Sequence, residues 1–159
     1  MESRRTSKKN NRKEIAKIYA EVLGAKSIIQ KNSIGGELRK PEQTELLYGE
    51  ETITEIVEYG ISYKLDLSEI MWSPGNIGWR STLKGPKKVT DFYTFDNPKT
   101  IADYFAGIGY FALQMAKGYP KTKVIAIYKN PISIEYLYMN AKNNAIRNIE
   151  IINDDCRNV

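Results

Sequence analysis

The sequence predicts an α/β fold in which a small α+β domain precedes the first half (βαβαβ) of a Rossmann-like parallel sheet. From residue 99 onward, short β-rich runs alternate with helical patterns. Such alternation favours parallel strands joined by right-handed crossovers. Before residue 77, one helical pattern is followed by several short β-rich runs, which favours a separate mixed unit.

Length and composition exclude several classes of protein. The 159 residues suffice for one domain, or for a small domain and part of a larger one. No apolar run approaches the roughly 20 residues of a membrane span, and the charged start lacks the apolar segment of a secretion signal. We therefore expect a cytoplasmic protein without membrane contact. One cysteine and no histidine exclude an internal disulfide and histidine-based catalysis, and no metal site is expected.

Positive charge is concentrated at the start of the chain. The net charge is +5, and residues 1–13 contain six basic residues against Glu2 alone. We interpret this segment as a flexible basic arm that contacts a phosphate backbone, because lysine and arginine gain free energy by releasing condensed counterions. A solvated disordered tail is an equally good interpretation of so short a run.

Residues 14–76 are predicted to form the small α+β domain. Apolar residues at helical spacing predict the buried face of a helix that ends at Gly24, namely Ile15, Ile18, Tyr19, Val22 and Leu23. Strands are predicted at 27–30, 45–48, 52–58 and 61–67, and the last two form a hairpin. Residues 77–98 are predicted to be a linker with a short helix.

Residues 99–159 are predicted to form the half-sheet. Its strands are expected at 100–103, 123–127 and 148–152, with a first helix at 110–117. Pro131 suits the first position of a second helix. The predicted buried stripe of that helix consists of Ile134, Leu137, Tyr138 and Ala141.

The segment Asp103–Phe111 (DYFAGIGYF) lies between the first strand and its helix. Gly107 and Gly109 permit a sharp turn and a close approach of the backbone to a ligand at the helix N-terminus. A phosphate-binding P-loop would need Gly-Lys-Ser/Thr, and a dinucleotide turn would need a third glycine where Ala112 stands. The acidic residue before the turn favours S-adenosylmethionine, and an ordinary strand-to-helix loop is the alternative.

Residues from about 36 to 159 resemble the archaeal and eukaryotic tRNA position-37 enzymes, the guanine-N1 methyltransferases and the wybutosine-synthesis aminocarboxypropyl transferases. The matching segments are GELR (36–39), MWSPGN (71–76), DYFAGIGYF (103–111), KNP (129–131) and DCR (155–157). This resemblance implies a class I S-adenosylmethionine-dependent methyltransferase fold, S-adenosylmethionine as cofactor, tRNA as partner and transfer to guanosine 37. The aromatic pair after Gly109 favours the wybutosine branch. The methyltransferase and a non-catalytic RNA-binding module are the alternatives.

The resemblance also implies a set of cofactor contacts. They are Ser73, Arg80, Asp103, Phe105, Gly107, Gly109, Tyr128, Asp155 and Cys156. Arg80 would pair with the methionine carboxylate and Asp155 with the adenine amino group. As plain structural residues, Arg80 would be a solvated helix residue, Ser73 a turn former and Asp155 a surface acid.

Two features predict weakened function. Tyr128 stands where a carboxylate normally holds the ribose hydroxyls, which we expect to weaken cofactor binding by about 1.5 to 3 kcal/mol. The sequence ends after the third predicted strand of the sheet. We therefore expect a truncated product that is weakly active or inactive as it stands, or that depends on a separate chain for the missing half. No catalytic residue is assigned.

Overall fold

The computed structural model describes residues 2–72, 74–83 and 98–159. The chain forms two compact units, one of residues 1–54 and 66–71 and the other of residues 55–65 and 72–159. This division differs from the predicted domain boundary at residue 76, which stays a prediction. Most of the predicted hairpin belongs to the second unit. The alternating pattern of its strands predicts the hairpin but does not predict the unit in which it packs. No helix in the described ranges is long and apolar enough to cross a membrane.

The first unit contains one long helix and four short strands. They are α1 (Glu2–Leu23), β1 (Ile28–Gln30), β2 (Ile34–Gly35), β3 (Lys40–Pro41) and β4 (Glu45–Tyr48). β1 pairs antiparallel with β4, and β2 pairs antiparallel with β3. Strands β2 and β3 were not predicted, because two residues are too few to show an alternating pattern.

Helix α1 differs from the prediction in its start and in its buried face. It begins at Glu2, so the segment interpreted as a basic arm is part of the helix. The predicted buried stripe is wrong, because Ile18 and Val22 are 59% and 78% exposed while Ala16 and Ala20 are buried. α1 packs against β1 and β4. Small side chains one turn apart bring the helix backbone close to its neighbours, which periodicity of large apolar residues does not reveal.

A hairpin leads into the second unit. It consists of β5 (Ile53–Glu58) and β6 (Ile61–Asp66). The two turn residues, Tyr59 and Gly60, have φ values of 52° and 77°, as the tight turns that suit hairpin twist require. Alternate residues of β6 are buried, so one face of the hairpin packs into the unit.

The remaining elements of the second unit confirm the predicted βαβαβ order. They are α2 (Ile77–Thr82), β7 (Thr100–Asp103), α3 (Ala112–Gly118), β8 (Lys123–Ile127), α4 (Pro131–Asn143) and β9 (Ile149–Ile152). The strands form a parallel sheet in the order β7-β8-β9. Within the part of the chain that the structure describes, β7 pairs on one side, with β8.

Helix α4 follows β8 and has a well-defined start and buried face. Asn130 caps it, since its side-chain oxygen accepts from the Ile132 N–H at 3.1 Å, and Pro131 is its first residue as predicted. Three members of the predicted stripe are buried. Tyr138 is the exception: it is 56% exposed, and its hydroxyl donates to the Ile151 carbonyl at 3.3 Å. The polar hydroxyl of a tyrosine can form its hydrogen bond at the edge of the sheet while the ring stays partly exposed to solvent.

Candidate cofactor-binding site

The candidate site lies at the carboxyl edge of the parallel sheet. The register places Asp103, the last residue of β7, beside Ala126, and the last residues of β8 and β9 beside each other. Open α/β sheets bind their ligands outside this edge. The predicted contacts at Tyr128, Asp155 and the Asp103–Gly109 loop all follow these strand ends.

The two carboxylate oxygens of Asp103 differ in their hydrogen bonding. Its Oδ1 accepts from the Phe105 N–H at 3.1 Å. Its Oδ2 is buried and has no hydrogen-bond partner within the described ranges. Desolvation by burial raises the pKa of Asp103. Leaving a buried acceptor unpaired costs free energy, so this atom is suited to a ligand donor at the strand end.

The two glycines of the loop make the predicted sharp turn. Gly107 and Gly109 have φ values of 56° and 97°. A Cβ at Gly109 would lie 2.5 Å from Cγ of Leu113 and 2.6 Å from Cδ1 of Leu137. Both glycines therefore turn the chain, and Gly109 lets the loop pack on α3 and α4. The close approach of the backbone to a ligand stays a prediction.

Arg80 is a buried residue paired with Glu58, and not a solvated one. Its side chain is 1% exposed, and both its Nε and its Nη2 donate to the carboxylate of Glu58, the latter at 3.0 Å. Its guanidinium carbon lies 5.5 Å from the centre of the Trp72 ring and 5.8 Å from that of Tyr110. Glu58 thus pairs with the Nε and Nη2 of Arg80, and the pairing of Arg80 with the methionine carboxylate stays a prediction.

Aromatic rings enclose this ion pair. The Trp72 ring lies edge-on to Tyr63 and Tyr110, with centres 5.6 and 5.4 Å apart. The Tyr63 hydroxyl donates to the Tyr110 carbonyl at 3.3 Å, and Gln114 donates to that hydroxyl at 3.1 Å. Burial raises the pKa of both tyrosines. Sequence reasoning missed Glu58, Tyr63 and Gln114, since only tertiary structure brings them to the loop.

Tyr128 follows β8 directly. Its N–H donates to the Ile152 carbonyl at 3.1 Å, and its own carbonyl accepts from Asn153 at 2.9 Å. The pKa of Tyr110 is raised mainly by burial and further by the neighbouring Tyr128 phenol. The Tyr128 side chain, which stands where a carboxylate was expected, thus lies near Tyr110.

Asp155 and Cys156 follow β9. Asp155 accepts from the N–H, the Nε and the Nη2 of Arg157 at 3.0, 2.9 and 2.6 Å. These hydrogen bonds hold the pKa of Asp155 well below its usual range. The Nζ of Lys129 lies 3.9 Å from the Oδ2 of Asp155. An ionised carboxylate has about four acceptor sites, and the contact of Asp155 with an adenine amino group stays a prediction.

Three further residues were predicted to contact the cofactor, and two of them lie within the described residues. Cys156 is a half-buried free thiol at the start of a short 3-10 helix, Cys156–Asn158. Phe105 is 76% exposed beside Asp103. Ser73 lies outside the described residues. The described ranges contain no group of three acidic, cysteine or histidine residues that would hold a metal ion.

A parallel sheet with an acidic residue and a glycine turn after its first strand defines a Rossmann-like domain of the methyltransferase type. The comparisons with known proteins then identify the family. Residues 54–159 match the profile described as the TRM5/TYW2 methyltransferase domain, and residues 3–52 match the TYW2 N-terminal domain. The chain belongs to the TRM5/TYW2 family. The profiles meet within two residues of Thr54, where the first unit of the structure gives way to the second.

The relatives favour the wybutosine branch. The tRNA(Phe) (4-demethylwyosine(37)-C(7)) aminocarboxypropyltransferase of Pyrococcus horikoshii is 44% identical over 132 residues, which cover 83% of this chain and 44% of the relative. The enzyme of the same name from Methanocaldococcus jannaschii is 40% identical over 147 residues, covering 92% and 55%. The chain thus spans about half the length of these relatives.

Solved structures agree with the fold. The P. horikoshii TYW2 structure in complex with MeSAdo has a TM-score of 0.71 at 37% identity, and covers 93% of this chain and 49% of that one. The structure of aTrm5 with tRNALeu has a TM-score of 0.78 at 31% identity, with 94% and 42% covered. The predicted family and fold class are confirmed.

Proposed function

We propose that this chain carries the S-adenosylmethionine-binding part of a transferase that adds a 3-amino-3-carboxypropyl group to the base at position 37 of tRNA, in the cytoplasm. The observation that carries the proposal is the buried Oδ2 of Asp103 at the carboxyl edge of the sheet, which has no hydrogen-bond partner among the described residues. The 44% and 40% identity to two aminocarboxypropyltransferases supports the reaction.

The residues present fit the cofactor in part. Asp103 offers a buried acceptor, the loop after it turns through two left-handed glycines, and Asp155 offers an ionised acceptor beside Cys156. Tyr128 offers the ribose one phenol where a carboxylate would accept two hydrogen bonds. When bound, S-adenosylmethionine supplies electrophilic carbons on its sulfonium, so the protein's task is to align the base and exclude water.

The partner is tRNA in this proposal. A relative of the family has been solved in complex with tRNALeu, and the first turns of α1 contain a dense run of lysine and arginine. Positive side chains that contact phosphates release counterions, and the resulting affinity falls steeply with salt. Binding of tRNA by this chain is therefore expected to weaken as the salt concentration rises.

A double-label transfer assay tests the reaction. The chain is incubated with tRNA(Phe) carrying 4-demethylwyosine at position 37, and in parallel with the transcript carrying guanosine. S-adenosylmethionine is labelled either in its carboxyl group or in its methyl group. Transfer of the carboxyl label to the demethylwyosine tRNA supports the proposal.

The same assay decides between the proposal and its alternatives. The matches to tRNA (guanine(37)-N(1))-methyltransferases at 30 to 36% identity favour a methyltransferase as second candidate, and methyl label on guanosine 37 would establish it. The tyrosine at position 128 favours an RNA-binding module. Salt-sensitive tRNA binding without transfer of either label would support that reading and contradict both transferases.

A further inference from the structure

We propose that Asn140 is a positioning residue that couples the β5–β6 hairpin to the cofactor loop, an inference that rests on the proposed function of that loop. Asn140 lies in α4, far along the chain from both. Its side chain is fully buried, which is unusual for an amide and requires its polar atoms to be paired.

The amide of Asn140 bonds to both partners at once. Its Oδ1 accepts from the Lys64 N–H at 2.8 Å, and its Nδ2 donates to the Lys64 carbonyl at 3.2 Å. The same Nδ2 donates to the Ile108 carbonyl at 3.4 Å. One side chain therefore pairs with β6 as a neighbouring strand would, and it also holds the middle of the loop.

Ile108 is a position where such a tie has a large effect. It stands between Gly107 and Gly109, and both have left-handed φ values. Glycine has more backbone freedom than any other residue, so a loop with two glycines loses much entropy on ordering. A hydrogen bond to the residue between them limits that freedom before the ligand arrives, which lowers the cost of binding.

The hairpin holds the loop at a second point. Tyr63, the residue before Lys64 in β6, donates from its hydroxyl to the Tyr110 carbonyl at 3.3 Å. The two bonds fall on either side of Gly109. Asn140 thus holds the loop at residue 108, and Tyr63 of the hairpin holds it at residue 110.

Asn144, the C-cap residue of the same helix, provides a control. Its Oδ1 accepts from the Ser62 N–H at 2.9 Å, and its Nδ2 donates to the Ser62 carbonyl at 2.7 Å. Its third bond goes to the Asn140 carbonyl of α4 at 2.8 Å, whereas the third bond of Asn140 goes to the loop. The two residues share their docking role on β6 and differ in contact with the loop.

The variants Asn140→Asp and Asn144→Asp, made in the full chain, test the coupling. Each keeps the side-chain shape, removes the donor and turns a carboxylate oxygen toward backbone carbonyls. Both are expected to lower the thermal midpoint by similar amounts. S-adenosylmethionine affinity, measured by calorimetry, is expected to fall about tenfold in Asn140→Asp and to stay within about twofold in Asn144→Asp. Equal affinities, or equal losses in both variants, would overturn the inference.

Hydrogen exchange in the unsubstituted chain gives a second test that does not depend on the variants folding. Coupling is reciprocal, so cofactor bound at the loop strengthens the bonds between Asn140 and Lys64. Saturating S-adenosylmethionine is expected to slow exchange of the Lys64 amide more than that of the Ser62 amide. Equal protection of both amides would contradict the coupling. Failure of the unsubstituted chain to bind the cofactor at all would overturn the proposed function and the inference with it.

Discussion

The buried pair of Glu58 and Arg80 makes the sharpest stability prediction. We consider Glu58→Gln, which keeps the size of the side chain and one acceptor oxygen but removes its charge. Arg80 is 1% exposed and Glu58 is 7% exposed, so neither group exchanges its partner for water. The guanidinium would be left buried without the carboxylate that faces its Nε and Nη2.

The magnitude follows from these contacts. Removing one partner of a buried ion pair costs about 3 to 5 kcal/mol. The remaining amide oxygen recovers one hydrogen bond, worth about 0.5 to 1.5 kcal/mol. The Trp72 and Tyr110 rings stay beside the guanidinium in both proteins, so their contribution largely cancels. We therefore expect Glu58→Gln to lower the free energy of unfolding by about 3 kcal/mol.

Urea unfolding followed by tryptophan fluorescence measures this loss, because Trp72 lies against the pair. Glu55→Gln is the matched control. Glu55 is an exposed glutamate on the same strand that contacts the Ser62 hydroxyl, and its loss is expected to cost less than about 0.5 kcal/mol. The double variant Glu58→Leu with Arg80→Met removes both charges and is expected to recover at least half of the loss. A cost below about 1 kcal/mol for Glu58→Gln would refute the reasoning.

Three further predictions concern the loop and the strand ends. Gly109→Ala is expected to destabilise the fold by about 2 to 5 kcal/mol, since left-handed backbone strain adds to overlap with two leucines. Gly24→Ala is the control: Gly24 has a φ of 63° and open space at its Cβ position, so this change should cost about 1 kcal/mol. Equal costs in thermal unfolding would show that packing is not the constraint at Gly109. The pKa of Asp103 is raised in the folded state, so its contribution to stability falls as pH rises from the ordinary aspartate value through the folded pKa and is constant above it. Asp103→Asn should remove that slope and be more stable than the unsubstituted chain at neutral pH while losing cofactor affinity, and an unchanged pH dependence of urea unfolding would count against this assignment. Tyr128→Glu is expected to tighten S-adenosylmethionine binding by about 1.5 to 3 kcal/mol in calorimetry, with Tyr128→Phe as control; no gain in affinity would show that this strand end does not face the ribose.

The half-sheet was predictable because its signals are local. β7 and β8 have the predicted bounds, and Pro131 begins α4, since short apolar runs bounded by turns and an N-terminal proline act within a few residues. The buried face of α1 was not predictable in the same way. The buried side of a helix depends on the surface against which it packs. In α1 the residues on the buried side are alanines.

The site was predictable where it follows strand ends and not where it depends on distant partners. Asp103 and the glycines were recognised as candidates because the turn lies in one segment. The partner of Arg80 lies 22 residues earlier in the chain, and no local pattern connects the two. Asn140 and Asn144 carried a usable signal, because asparagines one turn apart adjoin the apolar stripe of Leu137 and Ala141. Polar residues on a buried helix face indicate a backbone partner, and β6 is that partner.

The most direct test of the central claim is the response of backbone amides to S-adenosylmethionine in a nitrogen-15 NMR titration of the full chain. The claim is that the loop after β7 and the ends of β8 and β9 form one binding edge. We expect saturable shifts that are largest for residues 104–109, 128 and 155–156. Shifts confined to other parts of the chain, or none at millimolar cofactor, would contradict it.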